Sequence, residues 1–296
     1  MDLDYSVGIP VRNEERTIGY TLESVLKQTI LPNKIYVCVN GSTDRTYKVI
    51  SDFLSNENSV ELLKSSPGKA NAWHEIINHS VTDKIMFCDG DVKLNNSAAE
   101  NLLKTFEEEN NLILVGGSNA YKKSNGNTFF SKYFAENLDE NIIKQSWVCG
   151  RLYMIKLNEL KKLAEKLKIE LMPRDIINED GYLEMISKGY KKIIDSSYNL
   201  STQVNSFSDW LIGYKRVLAG QRQLSKRYPE YFGETDFSLN RLNNYYERFK
   251  KINSFGKKLG VTSLFALRQI LNLYYKFFDN LDYSLTWKET KSTKML

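Results

Sequence analysis

Between Tyr5 and Asp91 short apolar runs alternate with segments whose apolar residues fall at helical spacing, and this alternation constrains the fold most. Tyr5-Ser6-Val7-Gly8-Ile9-Pro10 reads as a first strand, followed by Ile18, Leu22, Val25 and Leu26 on one helical face. Lys34–Val39 is a second strand, and the turn Asn40-Gly41-Ser42-Thr43-Asp44 leads into a helix ending near Leu54. Val60–Leu63 is a third strand, and Ser66-Pro67-Gly68 breaks the chain before a helix from Lys69 to about His79. A fourth strand covers 84–88. Units of roughly thirty residues with a helix between strands require crossovers, so the expected fold is α/β with a mainly parallel sheet flanked by helices. Leu112–Gly117 offers a further strand, and the polar residues 117–128 read as a long connection of the kind that is often functional.

The fourth strand ends abruptly in Asp89-Gly90-Asp91. Ligands bind beyond the carboxyl ends of the strands in open α/β sheets, so carboxylates placed there are candidates for chemistry. Two of them, one residue apart, suit a divalent cation carrying a phosphorylated substrate, with Gly90 admitting close approach. Asp-Gly is also a common turn dipeptide, and that reading stays open on these three residues alone.

Size and composition bound the rest. A chain of 296 residues with 42% apolar and 12% aromatic residues can build a real core. It contains no run of about 18 apolar residues, so no helix is expected to cross a bilayer. The acidic Met1-Asp2-Leu3-Asp4 lacks a leader pattern, and Cys38, Cys88 and Cys149 have no CxxC spacing. Buried thiols in a reducing, cytoplasmic setting are expected. His74 and His79 lack the carboxylate pairing of a zinc hydrolase. Residues 1–204 form the expected first unit, and 205–296, rich in Tyr, Phe, Lys and Arg, a helical extension. From Arg241 onward 11 Lys/Arg stand against 4 Asp/Glu, so the net charge of +5 originates in this tail. That surplus suits an anionic membrane surface or another anionic partner, or simply a solvated helical face. In the tail Leu264, Leu267, Leu271, Tyr274 or Tyr275, and Phe278 recur at helical spacing beside Arg268 and Lys276. This stripe is expected to pack on the first unit, while the charge could hold the chain near a lipid-linked acceptor.

Several segments together resemble family 2 glycosyltransferases, nucleotide-sugar enzymes with the GT-A fold. These are Ser6–Arg16, Asn40-Gly-Ser-Thr-Asp-Arg-Thr46, Pro67-Gly-Lys-Ala70, Asp89-Gly-Asp91, and Asn178-Glu179-Asp180 with the following Tyr182-Leu183-Glu184 and Lys188-Gly189-Tyr190. The resemblance runs in order over about residues 4–195. It implies a GT-A catalytic domain over 1–204 with the extension packed on it. Transfer of a sugar from a nucleotide-diphosphate donor to an acceptor hydroxyl follows, in bacterial surface polysaccharide or glycolipid synthesis. Pro10, Arg12, Glu14, Asn40, Ser42, Asp44, Lys69, Asp89, Gly90 and Asp91 are the implied donor-binding residues, with Arg16 bordering the nucleotide pocket. Asp91 and Asp89 are the implied ligands of Mg²⁺ or Mn²⁺, which would neutralise the departing diphosphate.

Asp180 is the implied catalytic base, because direct displacement needs a carboxylate to take the acceptor's proton on the face opposite the leaving group. Trp147, Gly150 and Glu179 are the implied acceptor-side residues. Asn40 stands where the family often has an aspartate facing uracil, so a UDP-sugar is favoured but other bases stay open. Gln221–Tyr228 holds only fragments of the Gln-x-x-Arg-Trp motif of processive synthases, which points to single addition. Trp287, Thr290 and Lys291 suggest a terminal flap. A nucleotidyltransferase would need a glycine-rich basic loop near the N-terminus, and Gly8-Ile-Pro-Val-Arg12 is not one. A non-catalytic binding module predicts loss of an acidic motif, and a nucleic-acid binder leaves the strand-end carboxylates unexplained. The expected location is cytoplasmic, with peripheral contact at the inner membrane face allowed by the tail.

Overall fold

The computed structural model describes residues 3–54, 58–122, 146–202, 204–231 and 252–278, with 130, 246, 249 and 250 between them. Eight strands form one sheet: β1 (Ser6–Val11), β2 (Lys34–Val39), β3 (Val60–Lys64), β4 (Lys84–Cys88), β5 (Lys93–Leu94), β6 (Leu114–Lys122), β7 (Leu152–Lys156) and β8 (Lys191–Thr202). The helices are α1 (Ile18–Leu26), α2 (Thr46–Leu54), α3 (Lys69–His79), α4 (Ala98–Glu108), α5 (Leu157–Leu167), α6 (Glu179–Ile186), α7 (Phe207–Arg227) and α8 (Phe255–Phe278). Strand order is β3-β2-β1-β4-β7-β6-β8-β5. The first four strands run parallel, as the crossovers require. Beyond them β7 is antiparallel to both β4 and β6, β8 returns parallel to β6, and β5 closes the edge antiparallel to β8.

Helices cover both faces, which is why strands such as β1 and β4 are buried along their whole length. On one face Trp73 and Ile76 of α3, Leu160 of α5 and Leu183 of α6 pack on Phe87 and Tyr153. Trp73 stacks on Phe87, which stacks in turn on Tyr153, with ring centroids 5.6 and 5.3 Å apart. On the other face Ile18, Leu22 and Val25 of α1, Ile50 of α2 and Phe106 of α4 pack on Ile9, Val37, Met86 and Met154. The β1–β4 ladder ends at Gly8 and Phe87. Pro10, which has no N–H to donate, lies just past that point, where the two strands need no further bond.

One expectation is corrected. The polar residues after Gly117 are not a connection, since β6 continues through Lys122 beyond a register shift between Gly117 and Ser118. Strand pairing with β8 satisfies their polarity: Ser118 Oγ donates to Asp195 at 2.6 Å, and Asn199 Nδ2 donates to Asn119 Oδ1 at 2.6 Å. Residues 123–128 lie outside the described residues. Cys38 and Cys88 are free and buried, and burial pushes the Cys38 thiol up to about 11.

The two C-terminal helices dock in series. Helix α7 begins at Ser206, whose Oγ accepts the Asp209 N–H at 3.2 Å, and it meets the segment before α6 where Gln223 Oε1 accepts the Ile177 N–H at 2.9 Å. Helix α8 lies on α7: Tyr214 OH donates to Asn272 Oδ1 at 2.8 Å, and Tyr275 is buried with Leu218, Ala219 and Ile177. Leu264 and Leu271 share that inward face, whereas Tyr274 is exposed; the side chains of Lys276 and Phe278, and the residues Trp287, Thr290 and Lys291, lie outside the described residues. Among the described residues no helix is long and apolar enough to cross a membrane.

Candidate active site

The site lies where β1, β2 and β4 end and where β7 and α6 begin. The loops after β1 and β2 are laced together. Asn13, in the left-handed region at φ 55°, donates its N–H to Ser42 Oγ at 3.0 Å and takes the Thr43 N–H on Oδ1 at 2.7 Å. Thr46 Oγ1 accepts from Glu14 N at 2.7 Å, and Asp44 accepts from Glu15 N at 3.2 Å and Thr46 N at 2.9 Å. Ser42 and Asp44 thus fasten the loops. Glu14 is buried and accepts the Thr17 hydroxyl at 2.7 Å, a bond at the entry of α1. Asn40 is buried beside them, its N–H donated to Val11 O at 3.0 Å. Arg12 Nε is buried without a hydrogen-bond partner, which is rare in a folded chain and marks this corner as built to receive an acceptor group.

At the end of β4, Gly90 is required by close packing. A Cβ there would lie 2.7 Å from Val11 Cγ1 and 3.2 Å from Glu14 Cγ. The glycine therefore lets the Asp89–Asp91 turn sit against β1. Asp89 is paired with Lys69, the first residue of α3, at 2.7 Å. The same ammonium reaches Glu179 Oε1 at 2.5 Å and donates to Gly150 O at 3.3 Å. Desolvation alone would lower the Lys69 pKa, but the charges of Asp89 and Glu179 outweigh it and raise the pKa well above its ordinary value. Glu179 is buried by its place at the start of α6, and desolvation, followed by the charge of Asp180, pushes its carboxyl up against the pull of Lys69. With more carboxylates than cations in reach, the direction we hold to is a charged Lys69 and a Glu179 shifted upward. Burial, then the charge of Asp89, also raises Asp91.

Across from the aspartates, Gly150 joins the two sides of this network. Its carbonyl accepts from Lys69, and its N–H donates to Asp180 Oδ2 at 3.0 Å. A Cβ at 150 would meet Glu179 Oε1 at 2.8 Å and Lys69 Nζ at 3.0 Å, so any side chain there would push the paired charges aside. Asp180 Oδ1 accepts the Gly181 N–H at 2.8 Å. Each carboxylate oxygen is thus oriented by one N–H and keeps a further lone pair. Trp147 is 43% exposed on the same loop, whose Val148 N–H is held by Glu184 at 2.8 Å.

The structure adds two residues to those read from the sequence. In the register pairing Cys88 with Leu152, the next step sets Arg151 opposite Asp89. Its guanidinium donates to Tyr121 OH at 2.9 Å and Ser201 Oγ at 3.1 Å, and its charge acts on Asp91 and Asp89. Arg216 of α7 is exposed, yet electrostatically coupled to Glu179, Asp89 and Asp180. Arg151 ends the Trp147-Val-Cys-Gly-Arg151 segment, which resembles the family's loop before the acceptor site but gives the arginine no role, and no local motif announces Arg216; the strand register and the packing of α7 bring them in. His74 is tied to Met172 O at 2.6 Å and His79 to Glu75 O at 2.8 Å, away from these groups. Among the described residues no three His, Cys, Asp or Glu side chains converge on a metal position.

The family model for glycosyl transferase family 2 matches residues 6–168, more than half of the chain. The chain belongs to glycosyl transferase family 2. The match spans every element described here from β1 through the last turn of α5, including Lys69, Asp89, Asp91 and Gly150. Asp180 lies beyond it. A relative from Staphylococcus aureus, 4,4'-diaponeurosporenoate glycosyltransferase, is 33% identical over 104 residues, 33% of this chain. The alignment spans only 27% of that relative's length. The fold is similar to the mannosyltransferase PcManGT from Pyrobaculum calidifontis, solved in complex with GDP-Man and Mn²⁺, with a TM-score of 0.58 at 15% identity over 93% of this chain and 87% of that one. Staphylococcus aureus TarS is similar with a TM-score of 0.50 at 13% identity, covering 96% of this chain and 54% of that chain. Both likenesses extend through α7 and α8 and support the GT-A architecture.

Proposed function

We propose that the chain transfers a sugar from a nucleotide-diphosphate sugar to an acceptor hydroxyl by a single in-line displacement that inverts the anomeric carbon. The observation that supports it most is the Gly150 peptide, which ties Asp180 to the Lys69–Asp89 pair. It sets the base beside the cation that would meet the donor's phosphates. Arg12, Asn40 and Lys69 bind the donor, Arg12 with an N–H that has no partner within the protein. Asp180, oriented by two backbone N–H groups, accepts the proton of the attacking hydroxyl as the new bond forms. Gly150 and Trp147 border the acceptor, a saccharide or a lipid-linked acceptor, and one sugar is added per encounter.

The carboxylate set fits a cation that arrives with its substrate. Asp91 and Asp89 offer hard oxygen ligands too few to enclose an ion, as suits Mg²⁺ or Mn²⁺ shared with phosphate oxygens. Such an ion would supply Lewis-acid stabilisation to the departing diphosphate. Arg151 and Arg216 add fixed positive charge to the same corner. A uridine donor is favoured by the family resemblance, with Asn40 leaving other bases possible.

Nucleoside diphosphate release, measured with and without acceptor, tests this reading. Transfer should stop with chelator and in Asp91→Ala, while that variant stays folded. Full activity in excess chelator would remove the metal role. A nucleotidyltransferase would instead release pyrophosphate, and a binding module would release nothing. Proton NMR of the product's anomeric centre decides the stereochemistry, and retention would reject Asp180 as the lone base.

A further inference from the structure

Helix α8 has two apolar faces, and among the described residues only one is covered. Leu271 and Tyr275 pack with Tyr214, Leu218 and Ala219 of α7, and Val261 and Leu264 are buried, whereas Phe255, Leu259, Ile270, Leu273 and Phe277 are between 57% and 83% exposed. The exposed residues, with Ala266 among them, fall at steps of three, four and seven residues and so share one face of the helix, interrupted between Leu259 and Ala266 by the polar Thr262 and Ser263. Isolated exposed apolar side chains are ordinary, but a row of large ones on one helix marks an interaction surface. The helix contains Lys257, Lys258, Arg268 and Lys276 and no acidic residue, and Arg248, Lys250 and Lys251 precede it.

Charge selects the occupant. Two copies meeting through this stripe would bring two purely cationic helices together, which opposes a symmetric pairing. Residues 279–296 contain three lysines against Asp279, Asp282 and Glu289, so they offer this helix no net negative charge. An anionic lipid surface offers both an apolar layer for the stripe and phosphates for the lysines. The helix is not apolar enough to cross the bilayer, and its inner face is already docked on α7, so it can lie only in the plane of the surface.

We propose that the outward face of α8 seats the protein on an anionic membrane. Because α8 docks on α7, and α7 meets Ile177 just before Asp180, the acceptor side of the cleft stands one helix layer from the lipid. That placement favours an acceptor held in the same membrane.

Flotation of the full chain with phosphatidylcholine vesicles, with or without phosphatidylglycerol, tests the proposal without any sugar substrate. At low salt the protein should float with the anionic vesicles, and binding should weaken about ten-fold on neutral vesicles or in high salt. Ile270→Glu/Leu273→Glu alters only exposed positions, and Lys257→Glu/Lys258→Glu reverses charge. Each should lower vesicle binding by about ten-fold or more while circular dichroism stays unchanged. Failure to float with anionic vesicles at low salt overturns the proposal, as does a double variant that floats like the wild type. If light scattering finds a dimer that Ile270→Glu/Leu273→Glu dissolves, and vesicles recruit neither form, the stripe belongs to a second copy. A thermal shift with nucleotide sugars on the same samples tests the catalytic reading separately, so the two can fail independently.

Discussion

The loops after β1 and β2 and the network around Lys69 are held in different ways. In the loops, Asn13, Ser42, Asp44 and Thr46 make many side-chain bonds to backbone N–H groups, each able to fail without releasing the others. In the network a single ammonium, Lys69, serves two carboxylates and one carbonyl, and the Gly150 peptide passes that restraint to Asp180. Redundant hydrogen bonds spread risk, whereas a buried charge hub concentrates it, because removing one partner leaves the remaining charges unneutralised.

The contrast is sharpened most by Asp180→Asn, which keeps shape and removes basicity. Its turnover should fall by roughly 10²–10⁴, with donor affinity measured by titration nearly unchanged. A variant that transfers sugar at the wild-type rate would remove Asp180 as base. Next is Lys69→Ala, expected to cost about 3 kcal/mol in denaturant unfolding, at the low end for a broken ion pair because the side chain retains some water contact. Adding Glu179→Gln should recover part of that loss. Protonation favours the fold at a carboxyl whose folded pKa is raised, so the single variant should regain stability as pH falls toward the raised Glu179 value and lose it as pH climbs past it. An unfolding curve indifferent to both would mean that the charges are compensated elsewhere. Gly150→Ala forces a methyl against Glu179 and Lys69 and should cost about 1–3 kcal/mol together with a fall in kcat. Smallest is Ser42→Ala in the loops, about 1 kcal/mol or less in unfolding with activity nearly intact. A Ser42→Ala loss as large as that of Lys69→Ala would break the comparison.

The loops and the network were also unequally legible. The elements that lead into the loops are local in sequence: β1, β2 and β4 are single apolar runs, and each places its polar residues immediately after the strand. The boundaries of α3 followed from Gly68 and the apolar spacing after it. The network is assembled from long-range pairs. Arg151 becomes significant only through its antiparallel register with β4, and Arg216 only through the docking of α7. Strand β6 was cut short in the sequence reading because Ser118 and Asn119 look like loop residues until β8 supplies their partners. Glu14, Ser42 and Asp44 make bonds within these loops that residue type alone does not reveal.

The stacked column beneath the site has an optical consequence. Trp73 is sealed within the sheet, its indole on Phe87 two residues before Asp89, whereas Trp147 stands half in water on the acceptor loop. A small aqueous quencher should therefore reach Trp147 and leave Trp73 largely untouched. The chain also holds Trp210 and Trp287, so Trp147→Phe and Trp73→Phe are both needed to assign the two contributions. Their difference spectra then report the rigid floor and the open rim separately.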